Sequence, residues 1–236
     1  MPEWSAPPKI AEITERRLLD AILDGSFPID SKLPPERELA GMLGVTRPTL
    51  REALQRLSRE GWLEIHHGKQ TRVKNYWQEG NLLILNYLVH NLQAQPPSFV
   101  PNLLEVRATL APVFTRLAFS REPDQVYAHL AQMQDLPDCA ELFAAADLEL
   151  QRVLSILSGN PVYTLLFNSF GELYQVMAPL YFASGFARNR SRRFYLELYE
   201  AAGRQDVAAG EALTRVMMLE SIEIWNNLKK ERGQEV

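Results

Sequence analysis

Cysteine and histidine, on which many enzymes and metal sites depend, are scarce in this chain of 236 residues. There is one cysteine, Cys139, and there are four histidines. A single cysteine can form neither an internal disulfide nor a metal cluster built from several thiolates. Cys139 has no histidine beside it, and no Ser or His constellation with a supporting base is visible. We therefore expect Cys139 to be a small helix residue, and we do not expect an enzyme.

Long apolar runs are missing as well. No window of the sequence approaches the ~20 uninterrupted apolar residues that a membrane-spanning helix needs. The first residues, MPEWSAPP, lack the basic region and the apolar run of a signal peptide. The sequence therefore predicts a cytoplasmic protein that has no membrane partner.

The chain as a whole has no surplus of basic residues, and its net charge is −4 at pH 7. If that charge were spread evenly, it would argue against binding to nucleic acid. However, residues 32–74 hold nine Lys or Arg residues against five Glu residues, a local charge of +4, so the remaining residues carry −8. The sequence predicts a local basic surface on an otherwise acidic protein.

The basic segment has the pattern of a helix-turn-helix. Residues 36–74 read ERELAGMLGVTRPTLREALQRLSREGWLEIHHGKQTRVK. Ala40 is small where a second helix must cross closely, and Gly44 suits a sharp corner because glycine readily adopts positive φ. Thr46 is a natural N-cap for the next helix, and Pro48 falls in its first turn, where a missing N–H costs little. These features predict two short helices joined at Gly44.

The second of these helices has two faces of opposite character. Its apolar face carries residues at helical spacing: Leu50, Ala53, Leu54 and Leu57. Arg47, Thr49 and Arg51 lie on the other face, near the start of the helix. A recognition helix uses these first turns in the major groove, where guanidinium groups suit the O6 and N7 atoms of guanine. We expect Arg47, Thr49 and Arg51 to read DNA.

A small wing follows the second helix. Residues 62–65 and 70–74 are short strand-like runs, and the turn between them contains His67, Gly68 and Lys69. A narrow tip of this kind fits a minor groove, where glycine permits close approach and Lys69 meets a concentrated negative potential. The alternative is that the basic residues of the segment merely solvate a small helical bundle.

Helical patterns flank the basic segment. Residues 9–24 form a predicted helix that should support the DNA-reading pair, with Ile10, Ile13, Leu18, Ala21 and Ile22 near helical spacing and Gly25 at its end. Prolines then predict an extended connection up to Pro35. Residues 81–91 are apolar on nearly all sides, which suits a connector helix wedged between domains or against a partner subunit.

The remainder of the chain is predicted to be all-α, so the protein as a whole is mainly α. We expect a winged-helix DNA-binding domain at residues 1–76, a connector at 77–98, and a bundle of six or seven helices at 99–236. The expected helices are 99–120, 123–135, 138–158, 161–183, 189–203 and 206–232. A cluster of arginines near one helix start is interpreted as solvated: Arg188, Arg190, Arg192 and Arg193.

The segment PPERELAGMLGVTRPTLREALQRLSREGWLEIHHGKQTRV resembles the winged helix of the GntR family of bacterial transcription regulators, whose FadR subfamily adds an all-α bundle. Later segments are similar to this fatty-acid-responsive subfamily: PNLLEVRATL, SGNPVY, LYFASGFAR and ESIEIW. The resemblance runs along the whole chain. It implies a homodimer that binds palindromic operator DNA and is released by its effector, long-chain acyl-CoA, without a cofactor. It also implies repression of fatty-acid degradation genes and activation of unsaturated fatty-acid synthesis.

The resemblance carries over DNA-contacting positions, and these agree with the residues chosen from the pattern. The matching residues are Arg37, Thr46, Arg47, Thr49, Arg51, His67, Gly68 and Lys69. Pro48 departs from the subfamily, which has threonine there, so a hydroxyl or backbone N–H contact is not expected at this position.

Many relatives in the wider family bind a metal ion through one Asp and three His and hold small organic acids against it. The segment that would carry the metal-binding Asp and His reads Asp147-Leu148-Glu149-Leu150-Gln151, and no histidine follows His129. A histidine-rich metal site of this kind therefore cannot be assembled, and we expect no metal. A regulator that senses a different small organic acid remains the alternative function, and an acyl-CoA-using enzyme is a second.

Two features suggest where a ligand would bind in the bundle. One face of the last predicted helix carries Met217, Ser221, Trp225 and Leu228. These side chains could flank a thioester and an alkyl chain. Their spacing by itself, however, favours ordinary core residues. Arg107 lies in an apolar helical stripe and needs an anion, either a carboxylate such as that of Asp147 or Glu220, or a ligand phosphate. The resemblance favours the ligand in both cases. It also adds Tyr181 and Lys230 to the ligand site.

Overall fold

The computed structural model describes residues 9–66, 68–90 and 95–231. These residues divide into two units, which meet in sequence between residues 94 and 95. Of the residues expected to contact DNA or ligand, only His67 lies outside the described residues. None of the described helices is both long enough and apolar enough to cross a membrane.

Three helices form the centre of the first unit: α1 (Ile10–Leu23), α2 (Glu36–Leu43) and α3 (Arg47–Glu60). α3 packs against both α1 and α2. The predicted helix at 9–24 is confirmed, but its buried face is different from the predicted one. Ile10 and Ile13 are exposed, and the residues that pack inward are Ala11, Thr14, Leu18, Leu19 and Ile22. The two leucines are adjacent in sequence, so they set the centre of the buried face and turn the first isoleucines outward.

The corner between α2 and α3 has the predicted local chemistry. Gly44 ends α2 in the left-handed region, with φ 69° and ψ 31°. Thr46 caps α3, its side chain accepting a hydrogen bond from the backbone N–H of Thr49. The predicted apolar face of α3 is buried along its whole length: Leu50, Ala53, Leu54 and Leu57. This packing leaves the opposite face of α3, which carries the arginines, outside the core.

The wing is a two-stranded antiparallel sheet, β1 (Leu63–Glu64) and β2 (Arg72–Val73). Leu63 is opposite Val73, and Glu64 is opposite Arg72. The strands are shorter than the predicted runs 62–65 and 70–74. Trp62 and Val73 are fully buried, so the wing is attached to the core of the unit at its base.

The extended segment before α2 pairs with the other edge of the wing, which the sequence pattern did not indicate. Lys32 forms a bridge with Arg72, and the N–H of Leu33 donates to the carbonyl of Thr71 at 2.8 Å. Leu33 is also buried. The proline-rich connection between α1 and α2 therefore ties the wing to the helix-turn-helix.

Two short helices complete the first unit, α4 (Tyr76–Glu79) and α5 (Ile84–His90). The ring of Tyr87 on α5 meets the ring of Trp62 edge-on, and its hydroxyl lies 2.9 Å from a carboxylate oxygen of Glu15. The helix expected at 81–91 is confirmed in shorter form. It packs within the first unit, although it falls in the part of the chain expected to be a connector.

The second unit is all-α, as predicted, with seven helices among its described residues. They are α6 (Phe99–Arg121), α7 (Pro123–Ala131), α8 (Ala140–Leu157), α9 (Pro161–Ser169), α10 (Gly171–Phe182), α11 (Gly185–Gly203) and α12 (Val207–Glu231). The single helix expected at 161–183 is broken at Phe170 into α9 and α10. Phe170 has a non-helical ψ of 2°, and it is both the C-cap of α9 and the N-cap of α10.

The long helices α6 and α12 pack against each other, and together with α8, α10 and α11 they surround the core. The contact is close because α12 presents Gly210 to the ring of Phe119, where a Cβ atom would lie only 2.7 Å from the ring. The centre of the bundle is filled by large side chains such as Phe143, Phe194 and Leu150. α6 and α12 thereby supply two walls of the cavity described below.

Candidate functional site

The start of α3 presents a polar, cationic surface in the first unit. The hydroxyl oxygens of Thr46 and Thr49 lie 2.9 Å apart. The side chains of Arg47 and Arg51 are 56% and 57% exposed. Both guanidinium groups are near the carboxylate of Glu36 on α2, at 3.8 Å for Arg47 and 2.7 Å for Arg51. Glu36 therefore holds two predicted DNA-reading residues at the surface of the free protein.

The tip of the wing lies across an open groove from these arginines. Gly68 has φ 75°, a left-handed conformation that favours glycine, and Lys69 next to it is exposed. The groove is bordered by five of the predicted DNA-contacting residues: Arg37, Arg47, Arg51, Gly68 and Lys69. The fold thus brings together residues that are more than 30 positions apart in sequence.

Arg72 is a structural residue of this surface that the sequence pattern did not single out. Its guanidinium group forms ion pairs with Asp30 at 2.5 Å, with Glu64 at 2.8 Å and with Glu79 at 2.9 Å. The hydrogen bonds from Arg72 favour the ionised carboxylates and so lower the pKa of both Glu64 and Glu79. Arg72 therefore ties the wing to the segment before α2 and to α4.

The second unit contains a partly open cavity of about 110 Å³ that is lined by α6, α9, α10 and α12. Most of its wall is apolar, and it is formed by side chains such as Leu104, Phe114, Phe167, Phe170 and Leu173. A polar part of the wall is formed by Arg107, Tyr174, Tyr181, Ser221 and Trp225. The cavity wall is therefore apolar over most of its area and polar at one end.

The charge of Arg107 is balanced by Asp147 on α8. Nη2 of Arg107 donates to Oδ2 of Asp147 at 2.8 Å, and the guanidinium carbon lies 5.3 Å from the centre of the Tyr174 ring. The hydroxyl of Tyr174 donates to the same carboxylate oxygen, and that of Tyr195 donates to the other at 3.0 Å. Of the two partners expected for Arg107, the structure therefore contains the carboxylate, whereas the ligand phosphate remains a prediction.

Tyr181 and Ser221 differ in whether their hydroxyl groups already have a partner. The hydroxyl of Tyr181 is buried without a hydrogen-bond partner, and burial raises its pKa, so it is a neutral donor at physiological pH. Ser221 donates its hydroxyl to the carbonyl of Met218 at 2.6 Å. Tyr181 is thus free to bind an acceptor on a ligand, whereas Ser221 contributes mainly the small size of its side chain.

Two predicted ligand residues on α12 do not line the cavity. Met217 is buried in the core, and Lys230 is exposed near the end of the helix. Met217 and Trp225 are eight residues apart, which at 3.6 residues per turn rotates one relative to the other by about 80°. The face shared by Ser221 and Trp225 therefore does not extend to Met217, and the burial of Met217 agrees with its interpretation as a core residue. Tyr174, which the sequence analysis missed, is seven residues from Tyr181 on one face of α10.

The arginine cluster at the start of α11 is bound to neighbours rather than simply solvated. Arg188 pairs with Asp138 at 2.5 Å, and Arg190 pairs with Glu220 at 2.6 Å. Arg192 donates to a backbone carbonyl of the loop before α8. Arg193 pairs with Glu197 at 2.8 Å, but its side chain is 75% exposed, so it comes nearest to the solvated interpretation.

Within residues 9–66, 68–90 and 95–231, no three His, Cys, Asp or Glu side chains are grouped closely enough to hold a metal ion. Asp147 is instead occupied by hydrogen bonds from Arg107, Tyr174 and Tyr195. The residue one turn further along α8 is Gln151. A metal site of one Asp and three His, as in many relatives of the wider family, would need a histidine at this position.

Comparison with known proteins matches both units. The model of the "Bacterial regulatory proteins, gntR family" matches residues 10–73, and that of the "FadR C-terminal domain" matches residues 74–236. The chain is 38% identical over 226 residues to the "Fatty acid metabolism regulator protein" of Shewanella halifaxensis, covering 96% of this chain and 95% of that protein. It is 40% identical over 219 residues to the protein of the same name from Pasteurella multocida, covering 93% and 91%.

A solved structure has a similar fold. It belongs to Lar, a protein described as controlling expression of the Listeria monocytogenes agr system and mediating virulence. The match has a TM-score of 0.58 at 17% identity and covers 95% of this chain and all of that one. At this identity the likeness concerns the fold alone.

Proposed function

The chain belongs to the GntR family of bacterial regulatory proteins and carries the FadR C-terminal domain, and from this premise we propose how it acts. It is a transcription regulator of fatty-acid metabolism. In our proposal it is a cytoplasmic homodimer without enzymatic activity. Each protomer binds one half of a palindromic operator, because two-fold symmetry in the protein requires two-fold symmetry in the DNA.

The first unit is the proposed DNA-binding element. α3 enters the major groove, where Arg47, Thr49 and Arg51 meet base edges and phosphates. The wing tip, with Gly68 and Lys69, enters the adjacent minor groove. Support for this assignment comes from the groove that these residues border in the structure and from the exposure of both arginines on α3.

The second unit is the proposed sensor of long-chain acyl-CoA. The observation that carries this proposal is the largely apolar cavity whose polar end holds Arg107 and an unpaired Tyr181 hydroxyl. At about 110 Å³ the cavity is smaller than the roughly 300–1,000 Å³ of typical ligand pockets. In our proposal an acyl chain pushes helices apart as it enters, which gives the ligand a way to change the conformation that binds DNA.

We propose that the unliganded protein represses fatty-acid degradation genes and activates unsaturated fatty-acid synthesis, and that acyl-CoA releases it from DNA. The test is an electrophoretic shift of a fatty-acid degradation promoter at fixed salt, with and without palmitoyl-CoA. We expect the purified protein to shift the promoter and palmitoyl-CoA to reverse the shift. An unrelated DNA of equal length and free palmitate at the same concentration serve as controls.

Two other functions would give different results. A regulator of the same family that senses another small organic acid would shift DNA but would give no heat on titration with palmitoyl-CoA. An acyl-CoA-using enzyme would consume the thioester, whereas we expect palmitoyl-CoA to be recovered intact after incubation with the protein.

The wing gives a separate prediction about the DNA contact. Lys69→Ala should reduce the slope of log affinity against log salt by about one, because one phosphate-neutralising charge is lost. Gly68→Val should instead weaken binding at every salt concentration, since a branched side chain is unfavourable at φ 75° and obstructs the groove. Fluorescence titrations over a salt series measure both effects.

The matched control for the wing is Lys9→Ala, which removes an exposed lysine before α1 in the same unit. We expect this variant to keep the parental salt slope. If the Lys69 and Gly68 variants also bind like the parent at every salt concentration, the wing has no role in the groove.

A further inference from the structure

Arg107 and Asp147 occupy different positions relative to the cavity. Arg107 lines the cavity, and its side chain is 21% exposed. Asp147 is only 5% exposed and is not part of the cavity wall. A ligand that enters the cavity thus meets the guanidinium group first, with the carboxylate behind it.

The carboxylate of Asp147 is well supported as a buried negative charge. It accepts hydrogen bonds from Arg107 and from the hydroxyls of Tyr174 and Tyr195. Burial and the nearby charge of Asp147 raise the pKa of Tyr195, which keeps that hydroxyl protonated as a donor. The carboxylate of Asp147 is therefore held by three donors and does not depend on Arg107 alone for its position.

The position of Asp147 behind Arg107 reduces the electrostatic attraction between Arg107 and an anionic ligand. An unpaired arginine in a largely apolar cavity would attract any small anion, because charge interactions are strong where water is excluded. With Asp147 directly behind it, the pair has no net charge, and repulsion by the carboxylate offsets much of the attraction to the guanidinium group. A phosphate therefore gains little binding free energy from this site.

We propose that Asp147 is a built-in counter-anion that sets the specificity of the cavity by weakening the binding of every anionic head group to Arg107. The proposal rests on the proposed function, in which the ligand is an acyl-CoA. Each buried methylene of an acyl chain raises affinity by about fourfold, so a long chain against Leu104, Phe114 and Phe167 compensates for the weak head-group contact. Free CoA and inorganic phosphate lack this compensation and bind poorly.

Asp147→Asn tests the counter-anion directly, with calorimetric titration of full-length protein by inorganic phosphate, CoA and palmitoyl-CoA. We expect the affinity for CoA and for palmitoyl-CoA to rise by about tenfold or more, since a repulsive unit charge close to the phosphate has been removed. The salt dependence of CoA binding should become steeper. Glu149→Gln is the matched control, because it makes the same change of charge on α8 at a half-buried position where Glu149 pairs with Arg152, and it should not change any affinity.

Weaker or unchanged CoA binding by a folded Asp147→Asn protein overturns the proposal. Such a result would mean that Asp147 only positions Arg107. A second pair of variants avoids the unpaired arginine, which could prevent the single variant from folding. Arg107→Gln alone leaves a repelling carboxylate, whereas the double variant with Asp147→Asn leaves no charge. We expect the double variant to bind CoA more tightly than Arg107→Gln; equal or weaker binding contradicts a counter-anion role.

The proposed function and this inference fail in different ways. If the parent does not bind palmitoyl-CoA, the acyl-CoA sensor is wrong. The titrations of the Asp147 variants with CoA and inorganic phosphate still decide whether Asp147 weakens anion binding at Arg107.

Discussion

Ser221→Asn should give a protein that still binds its operator but is no longer released by long-chain acyl-CoA. Ser221 is 3% exposed and lies in the cavity wall on α12, beside Trp225. Asparagine adds two heavy atoms to a cavity of only about 110 Å³ and so fills space that the thioester end requires. A ligand shifts a conformational equilibrium only through its different affinities for the two states, so loss of binding removes release. The measurement is operator binding by fluorescence at increasing palmitoyl-CoA concentrations.

Ser221→Ala is the matched control for this prediction. It removes the hydrogen bond to the carbonyl of Met218 without adding volume, so it should remain releasable by palmitoyl-CoA. Thermal melts of both variants separate a filled cavity from a damaged bundle. If the Ser221→Asn protein is folded and is released at parental concentrations of palmitoyl-CoA, this face of α12 is ordinary core and the cavity is not the ligand site.

The DNA-binding unit could be predicted in detail where its structure depends on local sequence. Gly44, Thr46 and the apolar face of α3 act through backbone conformation, capping and helical periodicity, which are properties of neighbouring residues. Interactions between distant segments were missed. Lys32 pairs with β2 across 40 positions, and Arg72 binds carboxylates from three separate segments, which no spacing rule reveals.

The cavity was predictable only in part, for the same reason. The position of Arg107 in the apolar stripe of α6 shows from sequence that this side chain needs an anion. Whether Asp147 or Glu220 supplies the anion depends on how α6, α8 and α12 pack. Glu220 is instead bound to Arg190. Helical spacing correctly placed Ser221 and Trp225 together, and it extended their face too far toward Met217.

Arg51→Ala is expected to weaken operator binding strongly while leaving the protein folded. Arg51 lies near the start of α3 with 57% of its side chain exposed, and its hydrogen bond to Glu36 is a surface contact that contributes little to stability. A good base contact in the major groove contributes ~1–3 kcal/mol, which corresponds to a loss of about 5- to 150-fold in affinity for each half-site. Because a two-fold operator has two half-sites, the losses multiply in the dimer.

A fluorescence titration of operator DNA at fixed salt measures this loss, and Arg59→Ala is the matched control. Arg59 is exposed on the same helix and carries the same charge, but it lies in the last turn of α3, away from the end that enters the groove. Its removal should change affinity much less than the removal of Arg51, and the change should be similar on operator and on unrelated DNA. Arg51→Ala should instead reduce the preference for operator over unrelated DNA, because a base contact carries sequence information and a phosphate contact does not. If the two variants lose equal affinity on both DNAs, Arg51 contributes only charge and α3 does not read the operator through this residue.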